Sequence, residues 1–215
     1  MKTMILIALR ATAVTLLLTG ILYPVLITGI AQVFFFSASN GGVVTDERGR
    51  PVGSELIAQP FTRPGYFQPR PSAAGEKGFD TTSSGGSNFG PTSKKLRDRA
   101  VAELERLQRE NPSAPGLPPA ELITASGSGL DPHLSPAAAE WQVPRIAAAR
   151  GITPERVRAV IERVIESETE GRTFGFLGEP RVNVLLLNLA LDKQFGRSGG
   201  QTSSISKPLS RETSP

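Results

Sequence analysis

Residues 11–36 read ATAVTLLLTGILYPVLITGIAQVFFF and contain no charged side chain. As a helix rising about 1.5 Å per residue, this stretch would reach about 39 Å, more than the roughly 30 Å hydrocarbon core of a bilayer. Lys2, Arg10 and the terminal amine precede it, and the next ionisable residue is Asp46. Because excess positive charge stays on the cytoplasmic side, we expect residues 1–10 inside and the chain after Phe36 outside. The stretch predicts a single-pass anchor that carries an external domain.

Two other interpretations compete for this stretch. Ser37-Ala38-Ser39 offers small residues at which a signal peptidase could cleave after Ser39, but the apolar part of a signal peptide is normally about 7 to 15 residues long. A buried core helix rarely runs so far without a polar face. Length therefore favours the anchor.

One face of the anchor carries small residues. Ala11, Thr15 and Thr19 are spaced four apart, a pattern that lets a partner helix approach closely in lipid. Pro24 removes a backbone donor and should kink the helix midway, and neighbouring helices usually compensate for such a break. These four residues are our candidates for packing against a partner helix, although small residues and proline are also simply common in membrane helices.

The charge distribution argues against a nucleic-acid partner. The chain carries 24 Lys and Arg against 20 Asp and Glu, and its pI is about 9.8. Between Ser37 and Asp192, however, 18 basic residues face 19 acidic ones, so the predicted external domain is close to neutral and lacks a basic stripe. The chain contains no cysteine, so packing rather than disulfides must stabilise this domain.

Residues 37–192 predict one small, mainly helical domain with a few short strands, an α+β fold. Strands are expected at 43–45 and 52–57, around the turn DERGRP, and 173–177 is expected to be extended. Four prolines hold residues 60–71 extended, and Phe61, Tyr66 and Phe67 should pin that segment to the core.

Helices are expected from about Thr92 to Glu110, from Pro136 to Arg150 and from Pro154 onward. The first has an apolar stripe of Leu96, Val101, Leu104 and Leu107, the second should bend or restart at Pro144, and the third buries Val157, Val160, Ile161, Val164 and Ile165. Residues 182–191 are apolar almost all round and should form the central buried element. The polar tail, 193–215, should be disordered.

The first glycine-rich loop, SSGGSNFG at 83–90, precedes a predicted helix start. Its Gly85, Gly86 and Gly90, together with Lys94, are candidates for holding an anion at the helix N-terminus. The phosphate-loop spacing G-x-x-x-x-G-K-[ST] is absent, so the match is weak. A tight connector that lets two backbones cross is the simpler interpretation.

The second glycine-rich loop is ASGSGLDPHLSP at 125–136. Its Ser126, Gly127, Gly129, Asp131 and His133 are interpreted as a structural loop in which Asp131-Pro132 forms a turn. Ser128, Asp131 and His133 supply the residue types of a hydrolase triad, but three residues of one short loop do not converge as a triad requires. With no cysteine and a single histidine, a zinc site is also not expected. We expect no catalytic, cofactor-binding or metal-binding residue.

Several long motifs occur in a fixed order along the chain: GSELIAQPF (53–61), YF-x-x-RPSA (66–73), SGGSN (84–88), TASGSGLDPH-x-SPAAA (124–139), VPR-x-AAARG (143–151) and EGRTFGFLGEPRVNVL-x-LNLALD (170–192). With these motifs the chain resembles the KdpC family, the C subunits of bacterial Kdp potassium-transporting P-type ATPases. The resemblance covers residues 1 to about 192, and the tail departs from the usual family ending.

The resemblance implies a single-pass subunit of the cell inner membrane. Its partners would be a potassium-channel-like subunit, an ATP-hydrolysing P-type subunit and a small single-helix subunit, and the complex as a whole would handle potassium. The family is associated with assembly and stability of the pump, and also with a catalytic-chaperone role that raises the ATP affinity of the hydrolysing subunit. ATP enters only through this resemblance, and an external domain would not meet cytoplasmic ATP.

We therefore expect a non-catalytic accessory subunit whose Ala11-Thr15-Thr19 face packs on the channel-like subunit and whose domain covers the external potassium entrance. The catalytic-chaperone role is the alternative. Two alternatives from other classes are an external hydrolase that depends on His133 and a secreted binding module cleaved after Ser39.

Overall fold

The computed structural model describes residues 1–46, 48–168 and 176–198, with backbone alone at 165–168. The chain divides into two compact units, Met1–Ala58 and the residues from Gln59 onward. Both units contain helices, and both contain short strands of two to four residues. This is the predicted α+β class, and one N-terminal helix is long and apolar enough to cross a membrane. The predicted boundaries of the membrane span, the external domain and the tail stay predictions.

The apolar helix runs through 33 residues and buries none of its side chains within the first unit. It begins ahead of the predicted span because residues 4–9 are also apolar. It ends at Phe35, whose φ of −132° and ψ of 42° leave the helical region. Its parts and the short helix that follows are α1 (Lys2–Leu17), a π-helical turn (Leu18–Leu22), α2 (Tyr23–Phe34) and α3 (Phe36–Ser39).

A π-helical turn lies just before Pro24, and the kink expected there stays a prediction. The Tyr23 N–H donates to the Leu18 carbonyl, five residues back, where an α-helix would bond four residues back. The Thr19 hydroxyl also donates to the Thr15 carbonyl at 2.8 Å. Local widening of this kind helps to satisfy backbone groups near a proline in a membrane helix.

A β-hairpin completes the first unit. Strand β1 (Val43–Thr45) pairs antiparallel with β2 (Pro51–Ser54), with a bulge between Val44 and Thr45. The Asp46 carboxylate accepts bonds from the backbone N–H groups of Arg48 and Arg50 and pairs with the Arg50 guanidinium at 2.7 Å. These bonds, above all those from the Arg50 side chain, lower the pKa of Asp46 to about 2. The predicted hairpin is confirmed, although its second strand ends at Ser54 and not at Ile57.

Helices α5 (Pro136–Arg150) and α6 (Pro154–Glu168) form most of the second unit's core. Ser135 caps α5 by accepting the Ala138 N–H at 3.2 Å, and Gly151 ends it with a φ of +64°, which suits a residue without a Cβ. The predicted start of α6 at Pro154 is confirmed. The predicted buried face of α6 is confirmed for Val157, Val160, Ile161 and Val164, whereas the Ile165 side chain lies outside the described residues.

The sequence predicted that α5 bends or restarts at Pro144. A restart is wrong, because one helix runs from Pro136 to Arg150. The helix continues through Pro144, although proline costs a helix interior about 3 kcal/mol. Val143 and Ile146, on either side of it, are fully buried. Tertiary packing of this kind offsets the local propensity, because burying one such side chain is worth about 1.5 to 3 kcal/mol.

A two-residue strand leads into the last helix. Strand β3 (His133–Leu134) pairs antiparallel with β4 (Val182–Asn183), and the Val184 N–H donates to the Pro132 carbonyl at 2.9 Å. Asn183 then caps helix α7 (Val184–Phe195) by accepting two backbone N–H groups. Leu187 and Leu191 of α7 are fully buried, which confirms 182–191 as the central element.

The start of the tail differs from the prediction. Helix α7 extends through Phe195, which packs against the core and lies under the Arg156 guanidinium at 4.9 Å. The rest of the predicted tail, 199–215, lies outside the described residues, as does most of the predicted extended piece 173–177.

Helix α4 (Lys94–Glu110) packs only sparsely against the other helices and strands. Leu107, near its C-terminal end, is its one buried residue, and Val101 is 49% exposed. The predicted apolar stripe therefore holds at Leu107, holds in part at Leu96 and Leu104, and fails at Val101. Loop residues lie beneath the first half of this helix, as the bond from Arg99 to the Ser72 carbonyl at 2.9 Å indicates.

Candidate functional site

Residues 64–72 form a proline-rich segment, here called the strap, whose backbone N–H and carbonyl groups bond to side-chain amides of two helices. The Asn188 side chain of α7 accepts the Phe67 N–H at 2.8 Å and donates to the Phe67 carbonyl at 2.9 Å. The Gln142 side chain of α5 does the same for Gln68, at 2.8 and 3.0 Å. Phe67 itself is fully buried, so these bonds satisfy backbone groups that water does not reach.

Two arginines of α5 complete this clamp. Arg145 donates to the carbonyls of Pro64 and Tyr66 at 2.6 and 3.0 Å, and burial lowers its pKa to about 10. Arg150, whose side chain is 3% exposed, donates to the Gly65 carbonyl and pairs with Asp192 of α7 at 2.8 Å. The strap is therefore tied to both α5 and α7 by charged and polar groups.

The Tyr66 ring joins the same network. Its hydroxyl donates to the Asp192 carboxylate at 2.9 Å, and the Arg150 guanidinium lies 4.9 Å from the ring centre. Burial, followed by the neighbouring Asp192 carboxylate, raises the pKa of Tyr66. The prediction that Tyr66, Phe67 and Phe61 pin the extended segment to the core is confirmed, since Phe61 packs against the core cluster as well.

The two glycine-rich loops cross backbone to backbone. Gly85 donates its N–H to the Ser128 carbonyl at 2.8 Å, and a Cβ added at Gly86 would lie 2.9 Å from the Gly127 oxygen. Gly129, with a φ of +70°, leaves even less space, because a Cβ there would lie 2.6 Å from the Gly85 oxygen and 2.7 Å from the Ala74 nitrogen. Only glycine fits such approaches without shifting the backbone.

The structure does not gather the anion-loop candidates into one cradle. The Gly85 amide is bonded within the crossing, and a Cβ at Gly90 would meet open space. Lys94 pairs with Asp98 at 3.1 Å, and its side chain is 79% exposed. This geometry favours the connector interpretation, and anion binding at these residues stays a prediction.

The second loop makes the turn contacts expected of a structural loop. Ser126 is buried, the Ser128 hydroxyl accepts the Leu130 N–H at 3.1 Å, and Asp131 accepts the His133 N–H at 3.1 Å. Asp131 also pairs with Arg70 of the strap at 3.0 Å. Burial alone would raise the pKa of Asp131, but its bonds with His133 and the nearby Arg70 charge lower it overall. The carboxylate thus links the loop to the strap.

A polar cleft of about 410 Å³ lies beside His133, between the end of strand β3 and residues 179–181. The Glu121 carboxylate on its wall accepts the hydroxyl and the backbone N–H of Ser135, which fixes it as a brace for the start of α5. No group of three or more His, Cys, Asp or Glu side chains within residues 1–46, 48–168 and 176–198 is arranged to hold a metal ion.

The partner-helix candidates lie exposed along the apolar helix. Ala11 and Thr15 are on α1, Thr19 is in the π-helical turn and Pro24 is the second residue of α2. Thr15 and Thr19 are joined by the hydroxyl-to-carbonyl bond described above. Their packing against another helix stays a prediction.

Sequence analysis missed the polar residues that hold the strap. Asn188, Gln142 and Arg145 are at most 7% exposed, although their residue types are mostly found on surfaces. One signal was present: Asn188 interrupts the apolar run of residues 182–191, which was predicted to be the central buried element. A polar residue at such a position must find a buried partner.

Comparison with known proteins identifies the family. The family described as "KdpC: K+-transporting ATPase, c chain" matches residues 5–193. A "Potassium-transporting ATPase KdpC subunit" of Myxococcus xanthus is 63% identical over 189 residues, covering 88% of this chain and 87% of the relative. Proteins with the same description from Koribacter versatilis and Rhodospirillum rubrum are 51% and 49% identical, covering 89% and 87% of this chain and 95% and 94% of the relatives. The chain therefore belongs to the KdpC family, the c chains of K⁺-transporting ATPases.

Proposed function

We propose that this membrane subunit of a K⁺-transporting ATPase is a non-catalytic accessory subunit that the complex needs for its assembly and stability. Its apolar helix packs on a channel-like, potassium-carrying subunit, and its folded unit lies over the external potassium entrance. The ATP-hydrolysing subunit and a small single-helix subunit complete the assembly. The subunit holds the complex together and does not itself hydrolyse ATP.

The anchor supplies the first support. One helix of 33 residues has no buried side chain within its own unit, so its surface is free for lipid and for other membrane helices. Lys2 and Arg10 are its only charged residues, and both lie in its first third. The positive-inside rule then directs the chain after residue 36 to the external side.

The observation that carries the proposal is the crossing of the two glycine-rich loops. Phosphate-binding loops present unpaired backbone N–H groups to their ligand. Here the Gly85 N–H donates to the Ser128 carbonyl. At positions 86 and 129 a side chain would clash with the backbone of the other loop, so the glycines there are explained without a ligand. This argues for a scaffold role over the catalytic-chaperone role, in which the chain would raise the ATP affinity of the hydrolysing subunit.

Copurification tests the assembly role. Thr15→Leu with Thr19→Leu fills the small-residue face with two branched side chains, so recovery of the other subunits in detergent should fall several-fold. Thr28→Leu makes the same chemical change outside that face and serves as the matched control. Unchanged recovery with the double variant would remove the packing contact from the proposal.

Sidedness and nucleotide binding need separate measurements. A protease added after the outer barrier is opened should digest the chain beyond Phe36 in intact cells, whereas full protection would place the folded unit in the cytosol. Titration of the full chain in detergent with a fluorescent ATP analogue should give no saturable binding. Tight binding would favour the catalytic-chaperone role.

A further inference from the structure

The chain beyond helix α7 turns back onto the strap. Gly196 makes this turn with a φ of +77° and a ψ of 168°, a region of backbone space that is open essentially to glycine alone. Residues 196–198, here called the latch, then lie against the beginning of the strap. The latch follows the part of the chain that the family matches, which ends at residue 193.

Two arginines hold the latch by its backbone carbonyl groups. Arg150 donates through Nη1 to the Gly196 carbonyl at 2.8 Å, and Arg63, just before the strap, donates to the Ser198 carbonyl at 3.4 Å. The Nε of Arg150 donates to the Gly65 carbonyl at 2.6 Å. One guanidinium therefore joins the strap to the latch.

The side chain of Ser198 fills the space beside Gly65. A Cβ added at Gly65 would lie 2.8 Å from the Ser198 Cβ and closer still to its hydroxyl oxygen. Gly65 is not among the residues with a positive φ, so its backbone conformation would accept alanine without strain. A methyl group at position 65 should therefore push the latch away and leave the other bonds of the strap in place.

The contacts of the latch favour a state that is closed but can be released. The Arg150 side chain is 3% exposed, so release would leave its Nη1 donor without an acceptor where water has little access. Against this, Gly196 and Arg197 are exposed, and the bond from Arg63 is long. A segment with few buried contacts opens locally before the rest of a fold does.

We propose that residues 196–198 are a releasable latch, through which the chain after residue 193 controls the beginning of the strap. The closed latch holds Arg63 close to Gln59, where the chain enters the second unit. Because helix α7 ends at Phe195, the latch can open at Gly196 while the helix and its amide bonds to the strap persist. This inference does not depend on the proposed assembly role.

Thiol reactivity tests the closed state in the full chain. The chain contains no cysteine, so Ser198→Cys introduces a single thiol into the latch. It should react slowly with a water-soluble thiol reagent, and Gly65→Ala should raise its rate about tenfold by displacing the latch. The matched control is Arg197→Cys, whose side chain is exposed whether the latch is closed or open, so Gly65→Ala should leave its rate nearly unchanged.

Two truncations test the latch without any change inside the second unit. A chain that ends at Phe195 lacks the latch, whereas a chain that ends at Gly200 keeps it. The Tyr66 N–H donates to the Arg63 carbonyl at 3.2 Å, and its hydrogen exchange should be about tenfold faster in the shorter chain. The fluorescence of the buried Trp141 should show that both chains are folded.

Three results would overturn the proposal: a Ser198→Cys thiol that reacts as fast as the Arg197→Cys thiol, a rate for Ser198→Cys that Gly65→Ala does not change, or equal exchange of the Tyr66 amide in the two truncated chains. Unfolding of the shorter chain alone would also overturn it, since the segment would then be part of the core and not a releasable latch. None of these outcomes bears on the copurification test, so the two proposals fail separately.

Discussion

The hydrogen bonds between the Asn188 amide and the strap predict that one substitution lowers the stability of the second unit strongly. Asn188→Ala removes both partners of Phe67, whose N–H and carbonyl lie 2.8 and 2.9 Å from the Asn188 side chain. Each of the two buried groups left unsatisfied costs about 1 to 3 kcal/mol, so the free energy of unfolding should fall by about 2 to 6 kcal/mol. Domains are stable by only about 5 to 15 kcal/mol, so a substantial part of the stability would be lost.

The assay is urea unfolding of the full chain in detergent, followed by tryptophan fluorescence. Trp141 is the only tryptophan, and it is 4% exposed in helix α5, so its emission reports on the second unit alone. The matched control is Gln194→Ala on the same helix, where an exposed amide accepts one bond from Arg163. The control should cost less than about 1 kcal/mol. Equal costs for the two variants would refute the claim that side-chain amides hold the strap.

Three further predictions use the same unfolding assay. Gly129→Ala should cost about 2 to 5 kcal/mol, from the left-handed φ and the close approach to Gly85, whereas Gly127→Ala, with open space around it, should cost about 1 kcal/mol or less; equal effects would contradict the loop crossing. The lowered pKa of Asp131 adds stability that is complete above about pH 4 and is lost as the pH falls through its folded pKa. Asp131→Asn should therefore make the free energy of unfolding fall less steeply as the pH is lowered below about 4. An equally steep fall in the variant and the unsubstituted chain would show that the Asp131 ion pair contributes nothing. Arg97→Glu should raise the unfolding free energy by about 0.3 to 1 kcal/mol, because an acid near the N-terminus of α4 faces the partial positive charge of its unpaired N–H groups, and Arg109→Glu near the C-terminus should lower it. The opposite order would rule out this effect of the helix dipole.

The elements that local physics determines were predictable from the sequence. The apolar helix follows from 26 residues without a charge, and the start of α6 follows from Thr153-Pro154. The hairpin follows from two β-branched runs around a turn. Each of these signals lies within a few residues of the element that it specifies.

The site geometry depends on contacts between residues far apart in the chain. Asn188 and Phe67 are 121 residues apart in the chain. Positions 86 and 129 require glycine because each lies against the backbone of the other loop. Composition alone shows two glycine-rich loops and cannot distinguish an open anion cradle from a closed crossing. The exposure of Val101 was missed for the same reason, because helical spacing names a face but not whether another element covers it.

The strap fixes the start of the second unit to two of its helices. The chain enters this unit at Gln59, and within a dozen residues Arg145, Gln142 and Asn188 hold its backbone to helices α5 and α7. The first part of this unit is therefore held by hydrogen bonds to buried side chains and is not a loose end of the fold. This arrangement suits a subunit that keeps a folded unit in place on a membrane complex. If Asn188→Ala lowers stability but leaves copurification intact, the strap bonds are not needed for the proposed assembly role. If copurification falls while Trp141 fluorescence shows that the second unit is still folded, these bonds are part of that proposed role.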